Sequence, residues 1–336
     1  MVLELLNPPI NSYLHHTYPL TVAMPHKDFN SWFLSNYIQL EYIVQSDTLN
    51  FFTYSICGNS VLCPLIDHKF LDFEFIFKSG MDIIDFIKSS INLGYYVMTY
   101  VDEFFIPERV AYKQIHFRHD IMIYGLDTNK SILNVIGYND KREYAPSCVS
   151  FSEFESSFLN SIDKKNNIIL LKLKDSTSYK SSYEFDIENV KNLLTDYLFS
   201  KNSSANFRSI GTINNHVYGI SVYNQLIRYY QNILQNKIEE CDIRHFHLLY
   251  EHKKTMVSRL EYLIEKKYID TENDFVNIFS EFKNEALLMR NYVIKYHITK
   301  KEKLINTAIA SLNNMYENEK KAIEDLLDVL INNSKM

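Results

Sequence analysis

Apolar and polar positions change rhythm along this chain at about Tyr218. Before that point, short runs dense in Val, Ile, Phe and Tyr alternate with turn residues, as strands do. Three such runs stand close together: Tyr95–Phe105, His119–Tyr124 and Ile132–Tyr138. Gly125, Asp127 and Asn129 between the last two favour a turn, so these two runs are predicted to form a hairpin. Residues 49–56, 61–65 and 168–173 also read as strands, and 73–78 as extended chain. Cys57-Gly58-Asn59-Ser60 reads as a turn.

Helical spacing predicts four helices in the same half. Residues 30–44 carry Trp32, Phe33, Tyr37 and Leu40 on one stripe, with Asp28, Asn30 or Ser31 as its cap. Residues 82–92 carry Ile83, Ile84, Ile87 and Ile91 behind Asp82, and 150–160 and 186–198 follow the same rule. Residues 10–25 read as turns, 140–147 as a polar link, and 175–182 and 200–217 as loops. Beyond Tyr218 the chain is predicted to be helical, at about 221–238, 242–267, 273–297 and 299–332. No strict heptad runs through the last of these, so a bundle is expected rather than a coiled coil. The expected fold class is α+β, with residues 1–215 as an α+β domain and 216–336 as a helical region on or beside it.

With 336 residues, 46% of them hydrophobic, the chain can bury a large core. Its net charge of −6 gives no support for a nucleic-acid partner. Cys57, Cys63, Cys148 and Cys241 lack the spacing of a zinc site or a disulfide scaffold. No signal peptide and no long apolar run is read, so no membrane association is expected, and the location expected is cytoplasmic.

His119 opens a strand with Asp120 beside it, and reads either as a base or as a satisfied structural histidine. Ser31 lies at a helix start, where backbone N–H groups favour an anion, and reads either as a nucleophile or as a cap. Asp102 and Glu103 fall on opposite faces of their strand, one of them toward a cleft or both as ordinary strand positions. His116 and His119 lack the third ligand that a metal needs. His245, His247 and His252 read as a solvated helix face or as a contact for the α+β body or a partner, and Cys57 as a small buried hydrophobe or a reactive thiol.

The segments TYVDEFFIP (99–107), HFRHDIMIYGLD (116–127) and LNVIGY (133–138) resemble the butirosin-biosynthesis-protein-H-like family. YGISVYNQLIRYY (218–230) and IRHFHLLYEHKKTMVSRLEYL (243–263) extend that likeness, so that it spans about 25–265. The resemblance implies a papain-like core. It also implies an acyltransferase-like protein of natural-product biosynthesis, near nonribosomal peptide systems, that moves an acyl group from a carrier-protein thioester to a small amine or hydrolyses it. On that likeness His119 is the general base, Ser31 stands where the family has cysteine, and Asn134 stands for the acid that orients the ring. Trp32, Tyr100 and Asp102 would meet substrate. No cofactor is implied beyond the phosphopantetheine arm of a carrier-protein partner, and a homodimer stays open. Serine in place of cysteine leaves two other readings open: a catalytically inactive binding or scaffold protein, and a peptidase.

Overall fold

The computed structural model describes residues 1–53, 55–56, 60–161, 167–176, 182–206, 212–238 and 241–333. In chain order the elements begin α1 (Leu14–Ala23), α2 (Phe29–Asn36), β1 (Leu40–Ile43), β2 (Thr48–Phe51), β3 (Ser55–Ile56), β4 (Ser60–Val61) and β5 (Ile66–Asp72). Next come α3 (Phe73–Lys78), α4 (Ile83–Asn92), β6 (Tyr96–Asp102), a single 3-10 turn at Glu103–Phe105, β7 (Arg118–Asp127) and β8 (Ile132–Tyr138). β9 (Tyr144–Ser150), α5 (Phe151–Leu159), β10 (Asn167–Leu173), α6 (Ile187–Leu198) and β11 (His216–Tyr218) follow. The chain then continues as α7 (Val222–Leu234), α8 (Arg244–Glu265), α9 (Phe275–Thr299) and α10 (Glu302–Asn333). This is a mixed α+β fold of helices and antiparallel sheets.

Two compact units divide the chain: Met1–Phe29 with Cys57–Tyr183, and Asn30–Ile56 with Glu184–Met336. The expected border at 215/216 lies inside the second unit, which also holds α6 and the sheet β11-β1-β2.

The first unit is built on a six-stranded sheet, ordered β5-β10-β6-β7-β8-β9, with every neighbouring pair antiparallel. One face carries Val97, Val101, Ile121, Ile123, Leu133, Val135 and Val149, which pack against Ile84 and Ile87 of α4 and Phe154 and Phe158 of α5. Asp82 caps α4 by accepting the Asp85 N–H at 2.9 Å, and Ser150 with Glu153 forms a capping box on α5. Pairing of β7 with β8 runs from Asp127↔Ile132 to Met122↔Ile136, across a register shift between Ile123 and Gly125, and stops there. Beyond it Asp102↔Arg118 to Thr99↔Ile121 join β7 to β6, while Gly137 and Tyr138 pair with β9. β7 and β8 therefore part at the end that carries His119.

Four expectations are corrected. Residues 14–23 are a helix: nine of its ten residues are buried, so no polar face marks its turns. The helix expected at 30–44 stops at Asn36 and gives way to β1. Buried Arg259 explains the stop, because Nε and Nη2 donate to the carbonyls of Leu34 at 2.7 Å and Tyr37 at 2.6 Å. Residues 73–78 are helical rather than extended, since the Asp72 carboxylate accepts the Glu74 N–H at 2.6 Å. Part of the polar link at 140–147 is edge strand β9, which pairs on one side only. The expected turn at 57–60 lies for the most part outside the described residues.

In the second unit α8 packs against α9, and α10 against α6, α7 and α9. The four helices expected after Tyr218 are all present, within a few residues of their expected ends.

Candidate functional site

The last residue of β6 organises one end of the first unit. Asp102 is fully buried, and its Oδ1 accepts the N–H groups of Phe104 and Phe117, both at 3.1 Å. The first of these contacts starts the 3-10 turn, and the second ties that turn to the chain entering β7. Oδ2 is left to accept the Nδ1–H of His116 at 2.6 Å. Ser157 Oγ donates to the Asp102 carbonyl at 2.6 Å, and Glu103 N–H to the Phe117 carbonyl at 2.8 Å, so the backbone around the carboxylate is fixed as well. The His116 side chain is 59% exposed, and its ring stacks on Phe104 with centroids 4.4 Å apart and planes 21° apart. A buried carboxylate that fixes one ring nitrogen of an accessible imidazole selects the tautomer whose Nε2 can take a proton.

His119 stands opposite Val101 across the β6–β7 pair. Its Nδ1 lies 3.5 Å from Glu103 Oε1 and 3.4 Å from Asp120 Oδ1, with no hydrogen bond to either. The ring is 29% exposed and stacks on Phe117 at 5.6 Å. Burial pushes the Glu103 carboxyl upward, partly offset by His119 and Arg109. Burial likewise pushes the Asp120 carboxyl up, with His119 and Arg118 opposing.

Arg109 Nε is 3.9 Å from Glu103 Oε1, and its buried Nη1 and Nη2 have no hydrogen-bond partner among the described residues. A side chain at Gly137 would come within 3.3 Å of both Arg109 Nη2 and the Tyr18 hydroxyl, so the bare backbone there is what admits them. Tyr18 donates its hydroxyl to the carbonyls of Ile136 at 3.0 Å and Asp120 at 3.3 Å, one on each of the parted strands.

The residues singled out from sequence fall in different places. Tyr100, Asp102 and His119 lie at the same end of the sheet, with His119 opposite Val101, Tyr100 opposite Asp120 and the Arg118 guanidinium 3.8 Å above the Tyr100 ring. Asn134 does not join them. It pairs with Gly125, six residues along β7 from His119, or about 20 Å at the rise of a strand. Its side chain bonds Tyr124 instead. Ser31 and Trp32 belong to the second unit. The Ser31 hydroxyl bonds that of Tyr262 at 3.0 Å. Trp32 is 3% exposed and packs edge-on against Tyr37 at 6.0 Å, so it is core rather than a cleft wall. His245 and His252 are buried as well and donate to the carbonyls of Asp47 and Ile38; only His247 fits the solvated face expected for all three.

Sequence reasoning weighed Asp102 and Glu103 as carboxylates but missed the His116–Asp102 contact, along with Arg109. The available signal was an aspartate at the end of an apolar strand, followed by two aromatics and a proline two residues on. Such an aspartate caps a turn and gathers N–H donors. Nothing in the spacing joins it to a histidine fourteen positions later.

Cys63 and Cys241 are buried free thiols, each pushed up to about 12 by burial. Cys148 is exposed, and Cys57 lies outside the described residues. Among the described residues no group of three His, Cys, Asp or Glu stands where it could hold a metal ion, and no helix is long and apolar enough to cross a membrane. No protein-family model matches the chain, and no curated protein matches it either.

Proposed function

We propose that this chain transfers an acyl group from a carrier-protein thioester directly to an amine, with His116 as the general base and Asp102 as its orienting acid. The observation that carries the reading is the 2.6 Å bond from an exposed imidazole to a fully buried carboxylate. Within the first unit neither His116 nor His119 bonds a serine, threonine or cysteine among the described residues, and this reading takes the attacking group from the substrate. As the new C–N bond forms, His116 Nε2 takes a proton from the amine nitrogen. The tetrahedral intermediate then breaks its C–S bond, and the departing thiolate recovers that proton from Nε2. Asp102 keeps Nδ1–H in place and stabilises the imidazolium between the two steps.

The base thus shifts three residues from the one expected, Ser31 has no covalent role, and Asn134 orients nothing. The papain-like likeness, a natural-product pathway, an acyl or peptidyl carrier partner and a cytoplasmic place belong to the same proposal. A second reading is a binding protein without turnover, favoured by the absence of a bonded nucleophile beside either histidine.

Intact-mass measurement separates the two. The chain is incubated with a panel of acyl-loaded carrier proteins and a primary amine. The expected result is an acylated amine, no mass added to the chain itself, and a rate lowered roughly 10²- to 10⁴-fold in His116→Ala. Carrier binding without transfer from any donor favours the binding protein. Acyl mass on the chain overturns direct transfer.

A further inference from the structure

The His116 ring is held at two points, by its own Cβ and by the Nδ1–Asp102 bond, and the compliance of a hydrogen bond leaves it room to rock about the line between them. His116 precedes β7, and with 59% of its side chain exposed the walls around it are few. The ring contacts it makes are with Phe104, stacked at 4.4 Å and 21°, and with Phe105, more distant at 6.1 Å and 54°. Phe105 in turn meets Phe104 edge-on at 5.1 Å and 75°, which braces the stacked ring from the side. The same 3-10 turn delivers both constraints on the imidazole, because the Asp102 carboxylate that accepts Nδ1–H also accepts the Phe104 N–H at 3.1 Å. The hydrogen bond places Nδ1, and the stacked face limits the rocking that would swing Nε2.

We infer that Phe104 is a positioning residue, whose ring face holds the His116 imidazole in the plane that aims Nε2 at the reacting amine. This rests on the reading of His116 as the base. The role differs from that of a core aromatic, since its effect falls on the proton-transfer step rather than on stability or substrate affinity. A flat aromatic of another kind fulfils it, and an aliphatic side chain of similar bulk does not.

The test compares Phe104→Leu and Phe104→Tyr in the full chain, by turnover of an acyl-loaded carrier protein with a primary amine and by NMR of the His116 ring protons. In the wild type and in Phe104→Tyr those protons lie upfield, under the stacked ring. Phe104→Leu is expected to move them downfield and to lower kcat by roughly 10- to 100-fold with KM unchanged, and Phe104→Tyr to restore kcat. Wild-type turnover together with an unaffected kcat in Phe104→Leu overturns this role and leaves His116 as the base. No turnover in the wild-type chain overturns the base assignment and this role with it. Equal loss in Leu and Tyr variants also overturns it, because a ring face is then not what matters.

Discussion

Asp102, Glu103 and Asp120 lie at one end of the β6–β7 pair, and their surroundings make them different groups. Asp102 takes three N–H donors, one of them the His116 imidazole. Glu103 and Asp120 flank His119 without bonding it, and burial raises both. A carboxyl raised in the folded state binds more protons there than in the unfolded chain. The stability it gives is therefore present below the unfolded value, about 4, and is lost as pH rises through the folded value. Asp120→Asn removes that loss. The Tm difference between Asp120→Asn and wild type is expected to grow more positive from pH 4 to pH 7, measured by thermal melts at both. A difference that stays constant or shrinks contradicts the burial of Asp120. At this scale the sequence disclosed little. His119 and Asp102 were legible as chemistry-bearing residues, but their partners depend on the turn at 103–105 and on the parting of β7 from β8. Asn134 was misplaced because the family likeness names the next strand but not the height along it, and Asn134 pairs with Gly125, six residues from His119.

At the scale of elements, hydrophobic period was a good guide where one face is buried and a poor one where both are. α4, with its isoleucine stripe, and the long helices of the second unit declared themselves. α1 did not, because its burial is nearly complete. The second unit also buries charge where the pattern foresees only apolar contact. Lys253 of α8 donates to Glu319 of α10 at 2.5 Å, with both side chains fully buried. Tyr223 donates to the other Glu319 oxygen at 2.6 Å, and His252 Nδ1 accepts from Lys253 at 3.0 Å. Burial and the neighbouring Lys253 hold the His252 imidazole well below its usual value, in keeping with a neutral ring that donates from Nε2 to the Ile38 carbonyl. Removing one partner of such a pair strands a charge, whereas removing both does not. Lys253→Met is expected to cost about 3–5 kcal/mol by denaturant unfolding, and Lys253→Met with Glu319→Leu to recover most of it. A double variant no better than the single contradicts the pairing.

On the scale of the whole molecule, the α+β class and the change to helices after Tyr218 were legible, because composition and period change together there. The division into units was not. The segment at 30–56 joins residues beyond 184, and local sequence carries no mark of so distant an association. The proposed site draws its residues from the first unit, from α1, the β6 turn and the parted strands, so the proposal is testable on the intact chain by changing one atom. Asp102→Asn replaces the oxygen that holds His116 Nδ1–H while keeping the shape of the buried side chain. Acyl transfer from a loaded carrier protein to an amine is expected to fall roughly 10²- to 10⁴-fold in this variant, with its Tm near that of the wild type. A transfer rate equal to wild type would mean that the buried carboxylate and its histidine do not perform the proton transfer.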